Sequence, residues 1–140
     1  APIDIAWSVT TRSPLIRIPV TRGEGTRVEL RCPDSAANPY LTLAVCLQAG
    51  LDGIRNQIEP PASVTENVFE MRMSQKNKLG IEELPADLGE ALAEFEKDEY
   101  LQNVLGRHAT EKYIEAKKSE WADYRAQVSD WEINNYLYKI

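Results

Sequence analysis

The 140 residues predict an α+β domain: a small antiparallel N-terminal sheet of about three strands, then four to five helices. Two observations predict it. Up to Cys32 the apolar residues recur with period two between turn signals; beyond Pro33 they recur at helical spacing behind recognisable caps. The expected division places strands in 1–32 and the helical part in 33–140.

Residues 3–9 read as the first strand, on Ile3, Ile5 and Trp7. Thr10 to Ser13 is a polar loop. Leu15 to Val20 reads as a second strand, with Ile16 and Ile18 on one face and Arg17 on the other. Pro14 and Pro19 bracket it, which suits a short or edge strand. A turn at Arg22-Gly23-Glu24-Gly25 leads to the third strand, Thr26 to Cys32. Asn38 then caps a helix with Pro39 at its first position, and from Tyr40 to Ile58 apolar residues fill most places. Such a helix belongs in a core larger than its immediate neighbours. Gly50 and Gly53 within it permit close packing or a bend.

Glu59-Pro60-Pro61 ends that helix, and residues 62–86 read as a long irregular connection. Asp87-Leu88-Gly89-Glu90 is a capping box opening a helix through Lys97, and Asp98 caps a short one ending near Gly106. Ala109 to about Gln127 reads as a helix with Trp121, Tyr124 and Val128 at helical spacing, which core packing explains. Ser129-Asp130-Trp131-Glu132 is a second capping box and opens a last helix to Tyr138. That apolar terminal stretch could fray or dock onto another chain.

Composition is that of a globular protein, 43% hydrophobic and 27% charged, and no apolar run is long enough to span a bilayer. The net charge of −6 is uneven. Residues 1–31 carry five arginines against Asp4, Glu24 and Glu29, and the rest of the chain is acidic. An acidic body argues against general nucleic-acid binding. Cys32 and Cys46 are the only cysteines and read as free thiols of a reducing compartment. His108 is the only histidine, which argues against a metal site or a histidine triad built within this chain.

The five arginines, Arg12, Arg17, Arg22, Arg27 and Arg31, define the candidate site. On the third strand Arg27, Glu29 and Arg31 share one face, about 6.5–7 Å apart in succession, and Val28, Leu30 and Cys32 share the other. A carboxylate between guanidiniums suits an anionic substrate or a phosphate-bound metal. An exposed edge strand with self-compensating charges explains the same alternation.

A resemblance decides between them. Thr11-Arg12-Ser13-Pro14-Leu15-Ile16-Arg17-Ile18-Pro19, Arg27-Val28-Glu29-Leu30-Arg31, Pro33-Asp34, Ala36-Ala37-Asn38-Pro39-Tyr40-Leu41, Ala49-Gly50-Leu51-Asp52-Gly53-Ile54, Asn67-Val68-Phe69, Leu84-Pro85 and Trp131-Glu132 follow one another in a fixed order. Together they resemble glutamine synthetase of the class I bacterial type, over essentially the whole chain, as the C-terminal part of its catalytic domain. The start at Ala1, almost at once in strand-like sequence, reads as a start in the middle of a fold.

The resemblance implies a cytoplasmic ATP-dependent ligase that makes glutamine from glutamate and ammonia through a glutamyl phosphate, with Mg2+ or Mn2+. It implies a dodecamer of two hexameric rings. It implies Glu29 as a metal ligand, Arg31 on the glutamate α-carboxylate, Arg12 and Arg17 as catalytic residues on the transferring phosphoryl group and the nucleotide phosphates, and Arg27 near the nucleotide. Ser13 would help to position the Arg12 loop, and Arg22 stays a solvated turn residue. Phe69 stands where many class I enzymes carry an adenylylated tyrosine, so control would fall to feedback or a regulatory protein. Thr11 departs from an asparagine common in the family. A ligase joining glutamate to another amine such as a polyamine, and a non-catalytic assembly module, are the alternatives. No membrane or nucleic-acid partner is expected.

Overall fold

The computed structural model describes residues 2–137 and 139. They form two compact units, Ala1–Leu84 and Pro85–Ile140. The α+β class stands, with the strands shorter and differently phased than the sequence suggests.

The expected first strand is two, β1 (Asp4–Ile5) and β2 (Trp7–Ser8), interrupted at Ala6. Its buried residues are Asp4, Ala6 and Ser8, whereas Ile3 and Ile5 are 50% and 43% exposed. The phase inverts because the even positions face the local core of Ala6, Val64, Val68 and Ile81. Next come β3 (Ile16–Arg17) and β4 (Glu29–Leu30), which join β2 in the order β2-β3-β4. The sheet is mixed and not wholly antiparallel. β3 and β4 are antiparallel, but β2 and β3 run parallel, with Trp7 opposite Ile16 and Ser8 opposite Arg17.

A parallel pair normally needs a connection of about a dozen residues or more. Here the loop between Ser8 and Ile16 is held compact by polar pins. The Ser8 hydroxyl accepts from the backbone N–H of Thr10 and Thr11 and donates to the Val64 carbonyl at 2.7 Å. Pro14, fully buried, sits in the same loop.

Helix α1 (Pro39–Arg55) starts as expected: the Asn38 side chain accepts from the N–H of Tyr40 and Leu41. It ends before Ile58, because Asn56 caps it and Gln57 takes a positive φ of 52°. None of its residues is buried, and Tyr40, Leu43, Leu47 and Ile54 are each more than 60% exposed. A Cβ at Gly50 or Gly53 would meet nothing within 4 Å, so neither glycine serves close packing among the described residues.

The 62–86 connection is not irregular throughout. A 3-10 turn covers Val68–Glu70, α2 covers Met73–Leu79, and β5 (Glu82–Glu83) pairs antiparallel with β1. The Gln75 side chain accepts from the Arg72 N–H at the start of α2, and Gly80 ends the helix at φ 66°. Lys76 of α2 is buried, 8% exposed, with its Nζ 2.5 Å from Asp4 Oδ1.

In the second unit the caps fall where the sequence puts them. Asp87 accepts from Glu90 N at the start of α3 (Leu88–Lys97), and Asp98 accepts from Leu101 N at the start of α4 (Glu99–Leu105). α5 runs Arg107–Arg125. Leu92 of α3 is buried, and Phe95 meets Tyr113 edge-on at 5.8 Å. Trp121 is half-buried and stacks on Tyr124, but Tyr124 and Val128 are largely exposed, so core packing accounts for only part of the expected stripe. Ser129 and Glu132 form the last capping box, opening α6 (Asp130–Glu132), which continues as a π-helical turn, Ile133–Leu137. The expected end at Tyr138 lies outside the described residues.

Candidate functional site

The site lies where β3 meets β4. Antiparallel pairing sets Arg17 directly opposite Glu29, so their side chains leave the same face. Arg17 Nη1 donates to Glu29 Oε2 at 2.8 Å. Two residues before Glu29, Arg27 reaches the other oxygen, with Nε at 2.9 Å and Nη2 at 2.6 Å from Oε1. Both carboxylate oxygens are therefore held by guanidiniums. The Arg17 hydrogen bond, followed by that from Arg27, pulls the Glu29 carboxyl below the usual glutamate range.

Arg31 comes directly after β4, its N–H donating to the Leu15 carbonyl at 2.9 Å. Its Nη1 is buried and makes no hydrogen bond. A buried guanidinium nitrogen without an acceptor is costly, and an anionic ligand would satisfy it. Arg12 is exposed in the β2–β3 loop. Ser13 does anchor that loop, accepting from Val68 N at 3.0 Å and exchanging a hydrogen bond with the Thr11 hydroxyl at 3.1 Å. Arg22 is an exposed turn residue that donates to the carbonyls of Pro19 and Thr21. Of the residues singled out in the sequence, Arg17, Arg27 and Glu29 are in direct contact. Arg31 follows directly after β4, and Arg12 makes no hydrogen bond or ion pair with them.

The apolar alternation opposite these charges does not yet back a core. Val28 is 65% exposed and Leu30 37%. Beside β3 lies a shallow apolar depression of about 320 Å³, lined by Trp7, Ile16, Ile18 and Val28 among others.

The arrangement suits an anion. It does not by itself suit a divalent cation: Glu29 is a lone carboxylate with both oxygens engaged, and the described residues contain no group of three metal-ligating side chains. The polar cluster that sequence reasoning missed is Asp4, Lys76 and Glu83, with Lys76 Nζ 2.5 Å from Asp4 and 3.2 Å from Glu83. Its one sequence signal was an aspartate among isoleucines.

Residues 1–136 match the model of the glutamine synthetase catalytic domain. The chain belongs to that family. It is 50% identical over 139 residues to the glutamine synthetase of Clostridium saccharobutylicum, covering 99% of this chain and 31% of that protein. The glutamine synthetase of Methanocaldococcus jannaschii is 50% identical over 137 residues, covering 98% of this chain and 30% of the relative. Among solved structures, a GmaS/ADP complex superposes with a TM-score of 0.85 at 36% identity, over 98% of this chain and 30% of the other. GmaS without ligand gives 0.80. The chain thus spans about a third of the length of these relatives. Among its described residues, no helix is long and apolar enough to cross a membrane.

Phe69, in the 3-10 turn after Asn67, is 60% exposed and offers no hydroxyl. The two cysteines are free thiols, and burial pushes Cys32 up from its ordinary range.

Proposed function

We propose that this chain is the C-terminal part of the catalytic domain of an ATP-dependent glutamate–ammonia ligase, and that β3, β4 and the loop before β3 form one wall of its active site. The observation that carries the reading is Arg31, whose Nη1 is buried with no acceptor in a segment that the family match covers. In this reading Arg31 holds the α-carboxylate of glutamate. Arg12 and Arg17 act on the transferring phosphoryl group and the nucleotide phosphates, and Arg27 lies near the nucleotide. Each supplies fixed positive charge where negative charge accumulates between phosphoryl donor and carboxylate acceptor.

Glu29 would give one ligand to a Mg2+ or Mn2+ ion whose other ligands lie outside these 140 residues. A divalent ion supplies charge neutralisation for phosphoryl transfer when bound. With Glu29 the single carboxylate at the proposed site and no metal-ligating group of three among its described residues, the isolated chain is expected to be inactive. The full-length protein would work in the cytoplasm as a dodecamer of two hexameric rings, using glutamate, ammonia and ATP. Ammonia is preferred over a larger amine because about half of this chain's aligned residues are identical in relatives named glutamine synthetase.

The test is glutamine formation by the full-length parent carrying Glu29→Ala. The reading expects turnover to fall by at least about a hundredfold, as for loss of a main electrostatic contributor. Near-normal turnover would contradict it.

A further inference from the structure

Glu29 is an anion held between two guanidiniums. Its two oxygens are held separately, one by Arg17 and one by Arg27, so the guanidiniums best placed for an anion already have one. Among the described residues the Arg17 side chain pairs with Glu29, and Arg27 adds only the Gly25 carbonyl at 3.1 Å. The assembly is open to solvent: the side chains of Arg17, Arg27 and Glu29 are 21%, 50% and 28% exposed. A dissolved anion can therefore compete for the same donors.

We propose that Glu29 is a built-in competitor of phosphate: it occupies Arg17 and Arg27 in the unliganded chain, and a polyphosphate engages both arginines only after Glu29 has turned away. The inference rests on the reading of these arginines as phosphate-binding residues and adds a regulatory consequence to it. The carboxylate keeps two like charges together on adjacent strands. It also sets a threshold, because an anion must bind better than an intramolecular carboxylate that is always present. Ion pairs this exposed are individually weak, so the threshold is surmountable.

Titration calorimetry of the chain with inorganic pyrophosphate, in EDTA and at low salt, reads this out directly. Glu29→Gln keeps the shape and removes the competing charge. It should bind pyrophosphate roughly threefold to thirtyfold more tightly than wild type, the range two exposed ion pairs can cover. Glu24→Gln removes a charge from the same segment without touching the arginines, and should change affinity by less than about twofold. Glu29→Asp keeps the charge but is too short to span both guanidiniums, so it too should bind more tightly than wild type. It also serves if the glutamine variant fails to fold.

Folded Glu29→Gln or Glu29→Asp binding pyrophosphate no better than wild type overturns the competitor role and leaves the phosphate-binding arginines standing. An equal gain from Glu24→Gln and Glu29→Gln overturns it as well, since general charge would explain both. No binding by wild type or any variant overturns both the competitor role and the phosphate-binding reading.

Discussion

Lys76 reaches from α2 to place its ammonium 2.5 Å from the carboxylate of Asp4 on β1, inside a unit where Asp4 is only 1% exposed. Glu83, on the strand paired with β1, closes the cluster at 3.2 Å. Neither Asp4 oxygen has a hydrogen bond of good geometry, so the pair is held by charge. Removing Lys76 leaves the buried Asp4 charge alone, which costs about 3–5 kcal/mol. Lys76→Met should destabilise by about that much and Asp4→Ala by less, since Lys76 keeps Glu83, whereas Asp4→Leu with Lys76→Met should recover most of the loss; all three are read against wild type. Chemical denaturation of the three variants checks this.

The same cluster gives a pH dependence. Asp4 first, then Glu83, push Lys76 above its ordinary 10.5, against the opposing effect of burial. A group raised in the folded state contributes stability fully below its unfolded pKa and loses it as pH climbs through the folded value. The wild-type melting temperature should therefore fall more steeply than that of Lys76→Met above about pH 10.5, and the two slopes should match near neutrality. Parallel slopes in the alkaline range would remove the lysine's role.

At the β3–β4 site, Arg17 contributes more than Arg27 to holding the Glu29 carboxyl low. Arg17→Ala should raise the Glu29 titration midpoint toward the ordinary glutamate range, and Arg27→Ala should raise it less. Side-chain carboxyl NMR across an acid titration measures both. The reverse order would mean that the register pair is not the stronger contact.

Gly89, in the first turn of α3, leaves room for the Trp121 indole. An added Cβ would lie 2.6 Å from Nε1 and 3.2 Å from Asp87 Oδ1, the capping oxygen. Overpacking against a stiff ring costs about 1–3 kcal/mol. Gly89→Ala should lose about that much stability and shift the tryptophan emission; an unchanged melting temperature would show that the ring moves aside freely.

Much of this was legible in advance because it is local. Asn38, Asp87, Asp98 and Ser129 each cap where one side chain and the next three backbone N–H groups determine the outcome. The charge face of Arg27 and Glu29 followed from period two. What was not legible depended on distant partners. The inverted phase of Ile3 and Ile5 is set by Val64, Val68 and Ile81, far along the chain. The parallel pairing of β2 with β3 depends on Ser8 bonding to Val64. α2 was missed because Met73–Leu79 is short and polar, and its buried contact is a lysine whose partner is Asp4.

Helix α1 is the exception. Its nearly all-round apolar character points to a larger core, and within this chain Tyr40, Leu43, Leu47 and Ile54 stand largely in solvent. Sedimentation velocity should show self-association of the chain rising with concentration, and Leu43→Lys with Leu47→Lys should suppress it. A strictly monomeric wild type at high concentration would contradict this.

The most direct measurement is the glutamate KM of the full-length parent with Arg31→Ala. Loss of a charged hydrogen-bonding partner for a carboxylate predicts a glutamate KM raised by about tenfold or more, with the KM for ATP changed by less than about twofold. An unchanged glutamate KM would contradict the assignment of β4 to the substrate wall.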